Sequence, residues 1–161
     1  EVEAELGGLP AGVPGFAHGG GAKTDPDSAR DFVHATGVDL LAVSVGNVHV
    51  SLSGRMALDL DRLMGIRQAV GVPLVLHGGT GLTDEDFRRF ISAGVAKVNL
   101  STTLKLTYMR AAQAHIAAAE AKGKWEPVKM FDDIAAAVKA TVVEHMQQLG
   151  SAGAAKTAVS A

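Results

Sequence analysis

Four residues able to do chemistry recur at the ends of short apolar runs: Glu5, His49, His77 and Asn99. Neutral imidazole is a common donor to borderline-soft divalent metals, so His49 and His77 are candidate metal ligands. One histidine alone is more often a satisfied core or loop residue, and it is the pair on successive runs that favours ligation. His18, His34, His115 and His145 lack that placement and read as loop or helix-surface residues. HGGTG (77–81) can turn successive backbone N–H groups toward a phosphate, although alone it reads equally well as a plain strand-to-helix turn. NLSTT (99–103) offers a second set of phosphate contacts: an amide, hydroxyls and the start of a helix. Lys97 has two readings, an ion-pair partner for Glu3 or Glu5, or a Schiff-base nucleophile.

These residues need a scaffold that brings separate strand ends together. EVEAELG (1–7) alternates strictly, with Glu1, Glu3 and Glu5 on one face and Val2, Ala4 and Leu6 on the other. A Gly/Pro-rich loop runs to Gly21. Asp25, Pro26 and Gly37 then predict the cap, first turn and stop of a helix. DLLAVSV (39–45), VPLVLH (72–77) and VAKVNL (95–100) read as buried parallel strands. Between them, Asp59 or Asp61 opens one helix, and Thr83 with Asp86 forms a capping box for another. A long helix over about 102–121 and an amphipathic one over about 131–149 complete the pattern.

Strands alternating with helices predict a parallel α/β sheet. A doubly wound sheet and half of a (β/α)₈ barrel both satisfy that pattern, since a whole barrel takes about 250 residues. In either, the C-terminal ends of the strands carry the site. If these are the last four strands of a barrel, the two phosphate loops follow strands seven and eight, where barrel phosphate sites recur.

The bulk composition narrows the classes. With 161 residues, 47% of them hydrophobic and 20% charged, the chain suits one soluble globular domain over residues 1–150, and the small polar segment 151–161 reads as a disordered tail. A formal charge of -2 with scattered basic clusters argues against nucleic acid. No run approaches the roughly 20 apolar residues of a membrane span. Without cysteine there is neither a disulfide framework nor a thiolate metal site, which fits the expected cytoplasmic location. Strand-like sequence starts at once from Glu1, so the expectation is a fragment or processed chain whose upstream half lies elsewhere.

VEAELG (2–7), TDP (24–26), TGVDLLAVSVGNVH (36–49), LDLDRLMGIRQAVGVPLVLHGGTG (58–81), GVAKVNLST (94–102) and GSAG (150–153) together resemble the class II ketose-bisphosphate aldolases, closest to the tagatose/fructose-bisphosphate branch. The resemblance implies the C-terminal half of a (β/α)₈ TIM barrel, a homo-oligomer, a phosphosugar substrate and a catalytic zinc. It makes His49 and His77 two of three zinc ligands and sets Glu5 near the metal. It places substrate or phosphate contacts on Val50, on Gly78, Gly79 and Thr80, and on Asn99, Leu100, Ser101 and Thr102. Three departures stand out. The family's first zinc histidine and its catalytic aspartate belong to an N-terminal half absent here, so the acid/base group is expected outside this chain. Val50 stands where the family has glycine. The loop over 7–23, where the family carries a catalytic glutamate, contains no acidic residue. The competing readings are a Schiff-base aldolase using Lys97, a metal-dependent hydrolase, and a non-catalytic phosphosugar-binding or assembly module.

Overall fold

The structure, a computed structural model, describes residues 1–8, 22–47 and 58–155. Among the described residues the elements run β1 (Glu3–Leu6), α1 (Pro26–Thr36), β2 (Leu40–Val43), α2 (Leu60–Ala69), β3 (Leu74–His77), α3 (Asp84–Ser92), β4 (Val95–Asn99), α4 (Thr102–Lys122) and α5 (Pro127–Gln148). They form two compact units, Glu1–Leu100 and Ser101–Ala161.

Local chemistry accounts for most boundaries. Asp25 caps α1 by accepting from the Ser28 amide, Pro26 begins the helix, and Gly37 ends it at φ 67°. Of the two aspartates able to open α2, Asp59 does so, through the Arg62 amide. Thr83 and Asp86 form the reciprocal capping box of α3. The last helix starts a turn earlier than its apolar periodicity predicts, because Pro127 fixes a helical φ and needs no donor in the first turn. β2 is shorter than the apolar run 39–45. Ser44 and Val45 leave the ladder because their amides are taken by side chains, Thr24 Oγ1 at 2.8 Å and Asn47 Oδ1 at 2.8 Å.

All four strands pair in parallel, in the order β1-β2-β3-β4. That sequential order decides between the two architectures. A doubly wound sheet needs a switch point where strand order reverses, whereas crossovers of one hand in unbroken order put every helix on one face. The α/β fold is therefore the barrel type, in half-barrel form. One face of the sheet, carrying Leu41, Val43, Leu74 and Leu76, is buried against Ala29 of α1, Leu63 and Ile66 of α2, and Phe90 of α3. The opposite face carries Glu3, Glu5, Ala42, Val75, His77, Lys97 and Asn99.

One irregularity matters for that second face. Leu74 pairs with Val95 but the next residue, Val75, pairs with Lys97, so Ala96 is an extra residue in β4. A shift of one residue exchanges the two faces of a strand. Past the bulge, Lys97 and Asn99 stand opposite Val75 and His77.

Asp59 also ties the first unit together. It accepts from Lys23 Nζ at 3.0 Å and from Arg62, and these contacts, Lys23 foremost, hold its carboxyl at about 2. Because the folded-state value lies below the unfolded one of about 3.9, folding favours the ionised form. This stabilisation is complete above about pH 4 and disappears as the pH falls toward the folded-state value. The urea midpoint of the wild type is expected to drop across that interval, and Asp59→Asn to remove part of the drop. Equal slopes for the two proteins would show that the carboxylate contributes nothing.

The second unit pairs α4 with α5, joined by Thr107–Thr141 at 3.2 Å and His115–Asp133 at 2.7 Å. Past α5, the Ser151 amide donates back to Met146, and residues 156–161 of the tail lie outside the described residues. No helix among the described residues is long and apolar enough to cross a membrane.

Candidate active site at the strand ends

The alternation of β1 puts Glu3 and Glu5 on the face away from the helices, and the bulge in β4 brings Lys97 and Asn99 to the same face. Glu3 is the hub of the resulting cluster. Its Oε1 lies 3.0 Å from His77 Nε2 and 3.4 Å from Asn99 Nδ2, and its Oε2 lies 2.5 Å from Lys97 Nζ. Glu5 Oε2 is 3.3 Å from the other ring nitrogen of His77, Nδ1. Three strand spacings of about 4.8 Å would separate β1 from β4 by about 14 Å in a flat sheet. Contact between Glu3 and Lys97 is favoured by a sheet that curls toward this face, as half a barrel does. The small side chain of buried Ala42 leaves room on β2 for them to meet. The Lys97 hydrogen bond is the main reason the Glu3 carboxyl sits below its ordinary value. Partial desolvation opposes it, and His77 adds to the lowering.

His77 ends β3 and is held from two sides. Its carbonyl accepts from Asn47 Nδ2 at 2.8 Å, and Asn47, fully buried, ties the same strand end to Val45 of the neighbouring chain segment. Thr24 does the equivalent job between β1 and β2, donating to the Leu6 carbonyl at 2.5 Å and accepting from the Ser44 amide. Neither residue stood out as functional in the sequence. The available signal was a short polar residue directly beside an apolar strand, in GN (46–47) and TDP (24–26).

The loop after β3 is buried at Gly78 and Gly79, and Thr80 is half-buried. Gly78 has φ 74°, and a Cβ on Gly79 would come within 2.6 Å of Leu100 Cδ2. The two glycines thus let the loop lie directly against the end of β4, where His77 pairs with Asn99. Gly78, Gly79, Asn99 and Leu100 lie together at this strand end. Ser101 and Thr102 belong to the second unit, where Ser101 precedes α4 without a side-chain cap and Thr102 is its first residue. His49 and Val50, like His18, lie outside the described residues. His34, His115 and His145 lie on helices α1, α4 and α5, as their spacing suggests. Lys97 takes the ion-pair reading, with Glu3 as its partner.

The donor chemistry fits part of a zinc site. Two donors about 2.1 Å from a tetrahedral zinc stand about 3.4 Å apart, close to the 3.3 Å between His77 Nδ1 and Glu5 Oε2. The described residues contain no group of three or more histidines and carboxylates able to hold a metal. His77 and Glu5 would therefore supply two positions, and the rest must come from elsewhere.

A one-faced, sequentially ordered parallel sheet with its polar cluster at the strand ends is the arrangement of a (β/α)-barrel half. The family model of the class II fructose-bisphosphate aldolases matches residues 1–154, and the chain belongs to that family. A fructose-bisphosphate aldolase from Geobacillus stearothermophilus is 35% identical over 154 residues, 96% of this chain and 53% of the relative. The crystal structure of the YdjI aldolase from Escherichia coli superposes with a TM-score of 0.74 at 35% identity, over 94% of this chain and 50% of the other. A protein from Coccidioides immitis, assigned as a fructose-1,6-bisphosphate aldolase, gives a TM-score of 0.82 at 34% identity, over 96% of this chain and 54% of the other. The chain spans about half the length of the relatives it matches.

Proposed function

We propose that residues 1–150 supply the C-terminal half of an aldolase barrel, and that the complete protein carries out reversible aldol cleavage of a ketose 1,6-bisphosphate. The sugar is fructose or tagatose bisphosphate, and the products are dihydroxyacetone phosphate and glyceraldehyde 3-phosphate. The observation that carries this reading is the meeting of His77, Glu5, Glu3 and Asn99 beside the Gly78–Thr80 loop at the C-terminal ends of the strands. His77 and His49, with Glu5 nearby, would hold the metal. Zinc, when bound, supplies a Lewis acid that polarises the substrate ketone and favours carbon–carbon cleavage. The backbone N–H groups of Gly78, Gly79 and Thr80 bind one phosphate, aided by Asn99 and Leu100, and the family resemblance adds Val50, Ser101 and Thr102 as further proposed contacts. Anchoring the phosphate holds the reacting carbons in place and lowers the entropy cost of the reaction. The general acid and base come from outside this chain. A cytoplasmic homo-oligomer completes the reading.

Cleavage of fructose and tagatose 1,6-bisphosphates by the full-length protein tests it. Activity is expected to vanish with a chelator, return with zinc and survive borohydride added with substrate. Chelator-resistant activity trapped by borohydride would instead establish a Schiff base on Lys97. Phosphosugar binding without turnover would establish a non-catalytic module.

A further inference from the structure

Carboxylates stand at both nitrogens of the His77 ring, but only that of Glu3 meets it in hydrogen-bond geometry. Glu3 approaches Nε2 to 3.0 Å, while Glu5 stands 3.3 Å from Nδ1. An ionised carboxylate only accepts hydrogen bonds, so the nitrogen facing Glu3 must carry a proton. Glu3 is itself held firmly, with Oε2 on Lys97 Nζ at 2.5 Å and Oε1 shared with the Asn99 amide at 3.4 Å. Three strands contribute to this one arrangement, β1, β3 and β4. Its side chains are graded in exposure, with His77 and Glu3 at 18% and 24% exposed and Lys97 at 47%. The lysine therefore acts from the rim, and the glutamate from beneath the site.

We infer that Glu3 is a positioning residue, which fixes the proton of His77 on Nε2 and so leaves Nδ1 as the only nitrogen of this ring offered to a metal. This rests on the metal-site reading above. Lys97 acts one step further out by fixing the Glu3 rotamer. The same carboxylate orients Asn99, so one side chain sets the geometry of the metal half and the phosphate half of the site together. Partners of this kind typically contribute 10–100-fold in metal affinity. Glu5, with no hold on the Nε2 side, is free to approach the metal.

The test is NMR of the full-length protein with ¹⁵N-labelled histidine, read before and after zinc is added. In the metal-free wild type the His77 Nε2 proton is expected to be visible and slow to exchange, and zinc is expected to move Nδ1 alone. Glu3→Ala should abolish the slow proton and weaken zinc binding by about 10–100-fold. Glu3→Gln keeps an acceptor oxygen at the same place and should retain the proton. Lys97→Met, at the rim, should broaden or shift that resonance without removing it, and serves if Glu3→Ala does not fold. Zinc ligation through Nε2 would overturn the inference. So would a His77 Nε2 proton absent in the wild type or unchanged in Glu3→Ala. A wild type that takes up no zinc would sink the aldolase reading, while the Nε2 proton in the metal-free protein still decides the role of Glu3.

Discussion

Replacing His77 by alanine in the full-length protein is expected to lower zinc affinity and kcat/KM by at least about 100-fold, beyond the effect of losing a mere supporting partner. Stability should change little by comparison. When the imidazole goes, Glu3 keeps its Lys97 and Asn99 contacts, and Glu5, at 36% exposed, is hydrated. No buried charge is orphaned, so the folding cost should stay near about 1 kcal/mol, typical of a site without a core defect. Steady-state kinetics, zinc titration and a urea midpoint on the same preparation separate the two effects. Activity within tenfold of wild type would remove His77 from the metal site. A large drop in midpoint would recast it as a structural residue.

Asn47→Ala is expected to do the reverse, destabilising the first unit strongly while leaving every proposed contact residue in the sequence. Asn47 is fully buried, and its carboxamide serves one backbone donor and one backbone acceptor, the Val45 amide and the His77 carbonyl. Alanine leaves both without that partner in a place closed to bulk solvent, at about 1–3 kcal/mol each. A loss of about 2–5 kcal/mol in urea unfolding is the expected result. Asn47→Asp restores the acceptor alone and buries a charge against a carbonyl, so it should not rescue. A loss below about 1 kcal/mol would mean that water replaces the amide.

What the sequence made legible was local. Caps and stops at Asp25, Pro26, Gly37, Thr83 and Asp86 depend on neighbours three or four residues away, and each appears where its pattern predicts. His77 was legible because a histidine ending an apolar run marks a strand end. Its supports were not. Glu3 is 74 residues away along the chain, and only the pairing of strands shows that it, rather than Glu5, holds Lys97 and Asn99. The family resemblance drew attention to Glu5 near the metal and left the role of Glu3 unassigned. Asn47 was hidden for a similar reason: a polar residue after a strand reads as loop until the next strand end is seen to need a donor. The choice between a doubly wound sheet and half a barrel was also beyond periodicity, because both give the same alternation and differ only in spatial order.

The additional residue at Ala96 turns the site into a matter of counting. Upstream of it β4 presents Val95 to the helices, and downstream it presents Lys97 and Asn99 to the polar cluster. Ala96 is exposed, so what occupies that position is of small account, whereas its standing outside the ladder governs everything after it. Were Ala96 to take an ordinary place in the ladder, Val98 would pass to the polar cluster and Lys97 and Asn99 into the apolar layer. Deleting it would leave Val95, Lys97, Val98 and Asn99 in plain alternation, with both polar residues where they are. Chains descended from this one are therefore free to drift in identity at position 96, or to lose it, so long as Lys97 follows Val95 onto the opposite face.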